Sequence, residues 1–332
     1  MANPAKYDVL GIGNAIVDVI APVEDAFLAE QTITKASMTL IDEDRAQSLY
    51  DAFPPASETS GGSAANTIAG LASLGARTAY FGKVADDTLG KTFSHDLRAT
   101  GARFETSPLI DGPGTARCLI AVTPDAQRSM STYLGASSLF GIGDLDEAVI
   151  QDAAITYMEG YLFDKDEAKE AFIHAAEIAA AAGRKTALTL SDLFCVDRHR
   201  SSFLHLVRGH IDILFANEAE LLALYETDDF DHALDQVRRD CAFAAVTRSE
   251  KGSVLISADE TALIKAEPIE KIVDTTGAGD LYAAGVLYGL SRSLPLAECG
   301  RLGSVAAAEI ISHYGARARK NLQHLCGLSD HG

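Results

Sequence analysis

Between residues 154 and 257 short apolar runs alternate with helical stretches, and this alternation constrains the fold most tightly. The runs at 154–158, 186–190, 211–215 and 242–247 carry few polar residues, as strands buried on both faces do. Between them lie an alanine-rich helix at 165–182 and a second helix at 217–224. Strand–helix alternation predicts a parallel sheet covered by helices. The same reading places a first strand at 7–13 and a helix at 42–53 that Pro54-Pro55 stops. A small-residue helix follows at 63–74, then a strand near 77–81 and a helix near 89–100. Runs at 253–257 and 261–267 are β pieces split by 258–260, and a strand is expected at 269–273. Small-residue helices at 280–290 and 295–313 close the chain.

Two stretches, 15–41 and 102–134, break the alternation. Pieces such as RCLIAVT and RSMSTYL are β-like and are divided by the turn signals DGPG and TPDA. They are expected to pair as a discontinuous β lid. Residues 1–14, 42–101 and 135–332 would then form an α/β core that binds nucleotide and substrate.

Composition narrows the function. The 332 residues suffice for one large domain, or for a core and a smaller unit. Lys+Arg is 28 against 47 Asp+Glu, a formal charge of −19. Such a chain repels a phosphate backbone or an anionic membrane over most of its surface. A small anionic substrate stays open, because backbone amides at a helix start act locally. The five cysteines are odd in number and form no CxxC unit, which suits reduced thiols in the cytoplasm. No apolar run is long enough to span a bilayer. The nine histidines show no zinc spacing. Neither a P-loop nor a GxSxG turn occurs, and Gly11-Ile-Gly13 lacks the third glycine of a dinucleotide fingerprint.

The most informative segment is Val273-Asp-Thr-Thr-Gly-Ala-Gly-Asp280, a small-residue turn that enters a helix. A helix start leaves amide N–H groups unpaired and a positive dipole end, so the turn can form an anion hole. Gly277 and Gly279 let a phosphate approach the backbone closely. A carboxylate beside that hole, Asp280, repels phosphate but can take a proton from an attacking alcohol. Hole and base together read as phosphoryl transfer to a hydroxyl. On this motif alone, helix capping by Asp280 is an equal alternative.

DTTGAGD resembles the C-terminal signature of ribokinase-like (PfkB-type) carbohydrate kinases, and four further matches follow the family's order. Gly61-Gly62-Ser63-Ala-Ala-Asn66 resembles the glycine pair and asparagine that hold the acceptor sugar. Asn14 with Asp18 resembles the site for sugar hydroxyls, Gly82 to Gly90 the GxxxDDxxG segment, and Asn217 with Glu220 the NxxE motif. The likeness spans about residues 7–316.

It implies a ribokinase-like fold, a parallel-rich sheet between helices under a small β lid. It also implies ATP and Mg²⁺, with Glu220 acting on Mg²⁺ through water and Asn217 near the phosphates. By themselves Asn217 and Glu220 are also a helix-start capping pattern. Thr247, Ser249 and Gly252 resemble the nucleotide-contacting VTxGxxG, with Ser249 in place of its first glycine. Ser304 stands where the family approaches adenine. Asp274 resembles part of a monovalent-cation site, with K⁺ as its ion. The stretches QRSMSTYLGAS and LSDLFCVDRHR resemble adenosine-kinase-like bacterial members, which places Arg128 of the lid near the phosphates. Of Phe140, Tyr161, Phe163 and Phe194, one or two are expected to line a purine pocket and the rest to be core.

The resemblance thus implies ATP-dependent phosphorylation of the adenosine 5′-hydroxyl. A kinase for another sugar or nucleoside on the same scaffold is the alternative. A monomer and a dimer paired through the lid are both open.

Overall fold

The computed structural model describes residues 4–125 and 127–328. Residues 1–3 and 329–332 of the expected core and 126 of the expected lid lie outside the described residues.

The first third of the chain runs β1 (Tyr7–Ile12), β2 (Ile16–Pro22), α1 (Asp25–Glu30), β3 (Met38–Leu40), α2 (Glu43–Ala52), β4 (Ser57–Gly61), α3 (Ser63–Ser73), β5 (Thr78–Phe81), α4 (Thr88–Ala99) and β6 (Arg103–Phe104). The middle holds β7 (Ala116–Val122), β8 (Arg128–Tyr133), α5 (Glu147–Gln151), β9 (Ala153–Glu159), α6 (Asp166–Ala181), β10 (Lys185–Thr189) and α7 (Leu193–Gly209). Then come β11 (Ile213–Asn217), α8 (Glu218–Leu224), α9 (Phe230–Asp240), β12 (Phe243–Thr247), β13 (Ser253–Ser257), β14 (Thr261–Ile264), α10 (Ala278–Ser291), α11 (Leu296–Ile310) and α12 (Leu322–Leu325).

Nine strands form one sheet in the order β14-β13-β12-β11-β10-β9-β1-β5-β6. It is parallel from β12 to β6 and antiparallel at β12–β13 and β13–β14. Side chains alternate between its faces. Leu10, Ile12, Met158 and Leu188 pack into the apolar layer under α6 and α7. Val9, Ile155 and Tyr157 enter the layer on the opposite face, with residues of α3 and α10. The small residues of α3 and α10 let these helices meet closely: a Cβ on Gly70 would lie 2.7 Å from Leu281.

The smaller sheet has the order β3-β8-β7-β2-β4. Four of its strands fall in the two stretches that broke the alternation. The fifth, β4, comes from a polar segment (SETSG) that sequence reading assigned to the core. It carries no apolar alternation because only its last two residues, Ser60 and Gly61, are buried. Conversely β6, at 103–104, pairs with β5 in the large sheet.

Residues 269–273 form no strand, contrary to expectation. Pro268 brings no backbone donor, Ile272 is exposed, and the Val273 amide donates to the Ile311 carbonyl at 2.8 Å instead of to a sheet. Besides the short α1, α5 and α12, two long helices escaped the sequence reading, α7 and α9. Each has an aspartate N-cap, Asp192 and Asp229, and Asp229 sits within the acidic run 226–231. All five cysteines are free and buried. Among the described residues no helix is long and apolar enough to cross a membrane.

Candidate active site

Strand order reverses at β1, which lies between β9 and β5. Open parallel sheets bind ligands at the carboxyl ends of the strands beside such a reversal. Here β1 runs into Gly13-Asn14 and β9 ends in Glu159. The Asn14 side-chain amide donates to Glu159 Oε1 at 2.9 Å, and the Ala64 backbone N–H donates to Oε2 at 2.8 Å. Glu159 is 1% exposed, and burial pushes its carboxyl up to about 7. Sequence reading missed Glu159, although a signal existed: a lone acid ends the apolar run AAITYM.

Asp18 projects from β2 opposite β4, and burial pushes it up to about 6 against the opposing pull of Arg128 and Arg317. A Cβ on Gly61 would lie 2.5 Å from the Asp18 carboxyl carbon, so only glycine fits beside that acid. Gly62 takes φ +89°, and a Cβ there would lie 2.3 Å from the Asn14 carbonyl oxygen. The glycine pair therefore seats the start of α3 between Asp18 and Asn14.

That helix start holds Asp280. Ser63 Oγ donates to one carboxylate oxygen of Asp280 at 2.6 Å, and Asn66 Nδ2 donates to the other at 3.0 Å. Thr67 Oγ1 donates to the Asp280 carbonyl at 3.1 Å. The N-cap of α10 is Gly277, in left-handed conformation (φ +79°) with Ala316 against its α-hydrogen side. Asp280 is the third helical residue and caps nothing. Its carboxyl is raised above its ordinary range by burial, and the bonds from Ser63 and Asn66 and the charge of Arg317 oppose the shift. A buried acceptor, Asn66 Oδ1, has no hydrogen-bond partner among the described residues and is free for a ligand hydroxyl.

The Ala278 N–H turns back to the Thr275 carbonyl at 3.2 Å, which removes it from the expected anion hole. Among the described residues, the Gly279 and Asp280 amides remain as first-turn donors. Arg128 of β8 reaches across from the smaller sheet and pairs with Asp274 and, at 3.0 Å, with Thr276 Oγ1. Its buried Nε has no partner among the described residues. Asp274 also accepts from the Thr276 N–H and Oγ1 and from the Gly315 N–H. Both of its oxygens are thus engaged, so a K⁺ ion there would rely on backbone carbonyls.

The residues matched to nucleotide binding lie at the ends of β11 and β12, where Asn217 and Thr247 are register partners. Asn217 and Glu220 form a complete capping box. Asn217 N–H and Nδ2 donate to the two oxygens of Glu220 at 2.9 and 2.6 Å, and Glu220 N–H donates to Asn217 Oδ1 at 2.9 Å. Burial lifts Glu220 to about 7. Ser249 adopts φ +51°, the backbone region that favours the glycine it replaces, and Gly252 follows at φ +85°. Ser304 is buried on α11. No hydrogen bond joins it to the other nucleotide candidates among the described residues. Phe140 and Phe163 belong to the core, Tyr161 is half-buried with its hydroxyl on the Ser191 carbonyl, and Phe194 is 73% exposed.

Known proteins are similar to this chain in sequence and fold. Residues 12–322 match the pfkB family carbohydrate kinase description. A solved adenosine kinase from Sinorhizobium meliloti is 55% identical, with 96% of this chain and 98% of that one covered and a TM-score of 0.90. A probable sugar kinase from Rhizobium etli CFN 42 is 50% identical, with 97% and 98% covered and a TM-score of 0.91. Adenosine kinase 2 of Arabidopsis thaliana is 25% identical over 344 residues, spanning 95% of this chain and 97% of its own. The chain belongs to the pfkB family of carbohydrate kinases.

Proposed function

We propose that this kinase transfers the γ-phosphoryl group of ATP to the 5′-hydroxyl of adenosine, with Asp280 as general base. One observation carries the chemistry: a carboxylate beside a helix-start anion hole, gripped by Ser63 and Asn66, with Asn66 Oδ1 left for a hydroxyl. The 55% identity to an adenosine kinase supports the acceptor.

Asn14, Asp18, Gly61, Gly62, Ser63 and Asn66 hold the ribose in the crevice. Asp18 accepts from sugar hydroxyls, and the glycine pair leaves room for the ring. The lid, built on the smaller sheet β3-β8-β7-β2-β4, closes over the acceptor and excludes water, which would otherwise compete for the phosphoryl group. Asp280 takes the hydroxyl proton as the 5′-oxygen bonds to the γ-phosphorus and the bond to the β-bridging oxygen breaks, releasing ADP. The raised pKa of Asp280 makes it a stronger base than a free carboxylate. The Gly277–Asp280 turn offers its free amides to the transferring group, and Arg128 adds positive charge from the lid.

Asn217, Glu220, Thr247, Ser249, Gly252 and Ser304 hold the nucleotide. No group of three or more His, Cys, Asp or Glu among the described residues could hold a metal. A Mg²⁺ ion would come with the nucleotide, Glu220 would act on it through water, and the ion would offset phosphate charge. Asp274 would contribute to a K⁺ site only through its backbone. Five buried free thiols suit the cytoplasm, and a monomer or a homodimer would serve this chemistry equally.

The test is ADP release from Mg·ATP with adenosine, inosine, guanosine, cytidine, ribose or fructose, beside a control without acceptor. Turnover with adenosine above the others is expected. Turnover with a free sugar alone would move the acceptor to another class. Silence with every acceptor would sink the proposal.

A further inference from the structure

Arg317 lies in the loop after α11, outside every motif of the sequence. Its guanidinium donates to the Ser60 carbonyl at 3.2 Å, to Ser60 Oγ at 3.1 Å and to the Ala65 carbonyl at 2.6 Å. Ser60 immediately precedes the glycine pair, and Ala65 lies between Ser63 and Asn66. Its neighbour Ala316 packs against Gly277, with contacts to an added Cβ of 3.0 and 3.1 Å. One loop therefore braces the acceptor turn and the anion-hole turn together. All three acceptors are neutral, and no carboxylate lies within ion-pair distance of Arg317 among the described residues. An interior guanidinium normally has an ionised partner.

We propose that Arg317 is a positioning residue for the base: it locks residues 60–65 in register with Asp280 and supplies positive charge to a cleft of three carboxylates. The proposal rests on the phosphotransfer reading of the site. The groups that face Asp280 come from every surrounding element. They are Asp18 on β2, Glu159 and Tyr157 on β9, and Tyr161 beyond it, with Arg317 from the C-terminal loop. Arg128 faces Asp18 from β8 but is paired with Asp274. Burial keeps both tyrosines protonated, so the negative charge facing Asp280 comes from Asp18 and Glu159, which when ionised make the base harder to ionise. Arg317 opposes them, lowering both Asp280 and Asp18, while burial depresses its own pKa to about 10. At neutral pH it stays charged.

The test compares wild type with R317M, R317Q and R317K in ADP release with adenosine and Mg·ATP from pH 5 to 9, with Tm as a check of folding. The acid limb belongs to the coupled carboxylates together. In R317M that limb should move up by about one unit, so the variant loses about tenfold more activity at the acid end than at pH 8.5. R317K should lose activity through the missing fork while its limb stays near wild type. Should R317M not fold, R317Q keeps hydrogen-bonding atoms without the charge and should shift the limb alike. An equal loss at every pH in a folded neutral variant would make Arg317 structural only and overturn the proposal. So would an R317K limb displaced as far as that of R317M or R317Q. Wild type inactive with adenosine would instead refute the reading of the site.

Discussion

The acceptor side and the nucleotide side of this cleft are built on different principles. On the acceptor side the bonds join residues far apart in the chain: Ser63 to Asp280 across 217 positions, Asn14 to Glu159 across 145, Arg317 to Ser60 across 257. On the nucleotide side the bonds are local, as in the Asn217–Glu220 box with its spacing of three. The acceptor side crowds Asp18, Glu159 and Asp280 together, all with raised pKa values. That cluster depends on the whole fold. The nucleotide side depends on two turns at the ends of β11 and β12.

The largest effect should come from the base. Asp280→Asn should lower kcat by about 10²–10⁴-fold while ATP affinity stays near wild type, read by single-turnover kinetics and calorimetry. A near-normal kcat would remove Asp280 as base and dissolve the contrast. Next is Gly62→Ala, where the added Cβ meets the Asn14 carbonyl at 2.3 Å in a left-handed backbone. A displacement of about 1 Å at a reacting centre costs about 10²-fold. The loss should fall on kcat/KM for adenosine and leave the KM for ATP alone. An equal rise in both KM values would mean that the two sides are mechanically one.

The same contrast explains what sequence could show. Strand–helix alternation reports local burial, so β9 to β12 were legible, and DTTGAGD marks a turn by its own residues. β4 was not, since its place in the smaller sheet rests on pairing with β2 and not on an apolar pattern. The 269–273 segment shows the reverse failure: its apolar residues suggest a strand, but Pro268 withholds a donor and the Val273 amide is spent on the Ile311 carbonyl. Asn66 and Asp280 could each be named, but their bond crosses 214 positions. Glu159 had a weak local signal. Arg317 had none, because its role comes entirely from what the fold places around it.

A smaller effect tests the crowding itself. The folded state raises Glu159 from an ordinary 4.5 to about 7, so it binds that proton more tightly than the unfolded chain does. The resulting stability is full below about pH 4.5 and is lost as pH rises through 7. Glu159→Gln cannot lose it, and Asn14 can turn its amide to face the new side chain. The Tm gap between wild type and E159Q should therefore narrow by a few degrees from pH 5.5 to 8. A gap that does not move with pH over this range would show a Glu159 that stays ionised on folding, and the acceptor cluster would be less crowded than its burial implies.

The smallest effect belongs to the nucleotide side. Glu220→Gln keeps one acceptor for the Asn217 N–H and an amide of the same shape, whereas Glu220→Ala removes the capping box. If Glu220 serves only α8, E220A should cost about 1 kcal/mol of stability, with E220Q in between, and the KM for ATP should follow stability in both. If Glu220 also acts through water on the magnesium of the nucleotide, E220Q should raise the Mg²⁺ concentration needed for half-maximal rate while its Tm stays near wild type. The two roles are separable because capping needs only an acceptor at that position, whereas the metal's water shell responds to charge. A neutral, well-folded E220Q with unchanged Mg²⁺ dependence would leave this side of the cleft to its backbone turns alone.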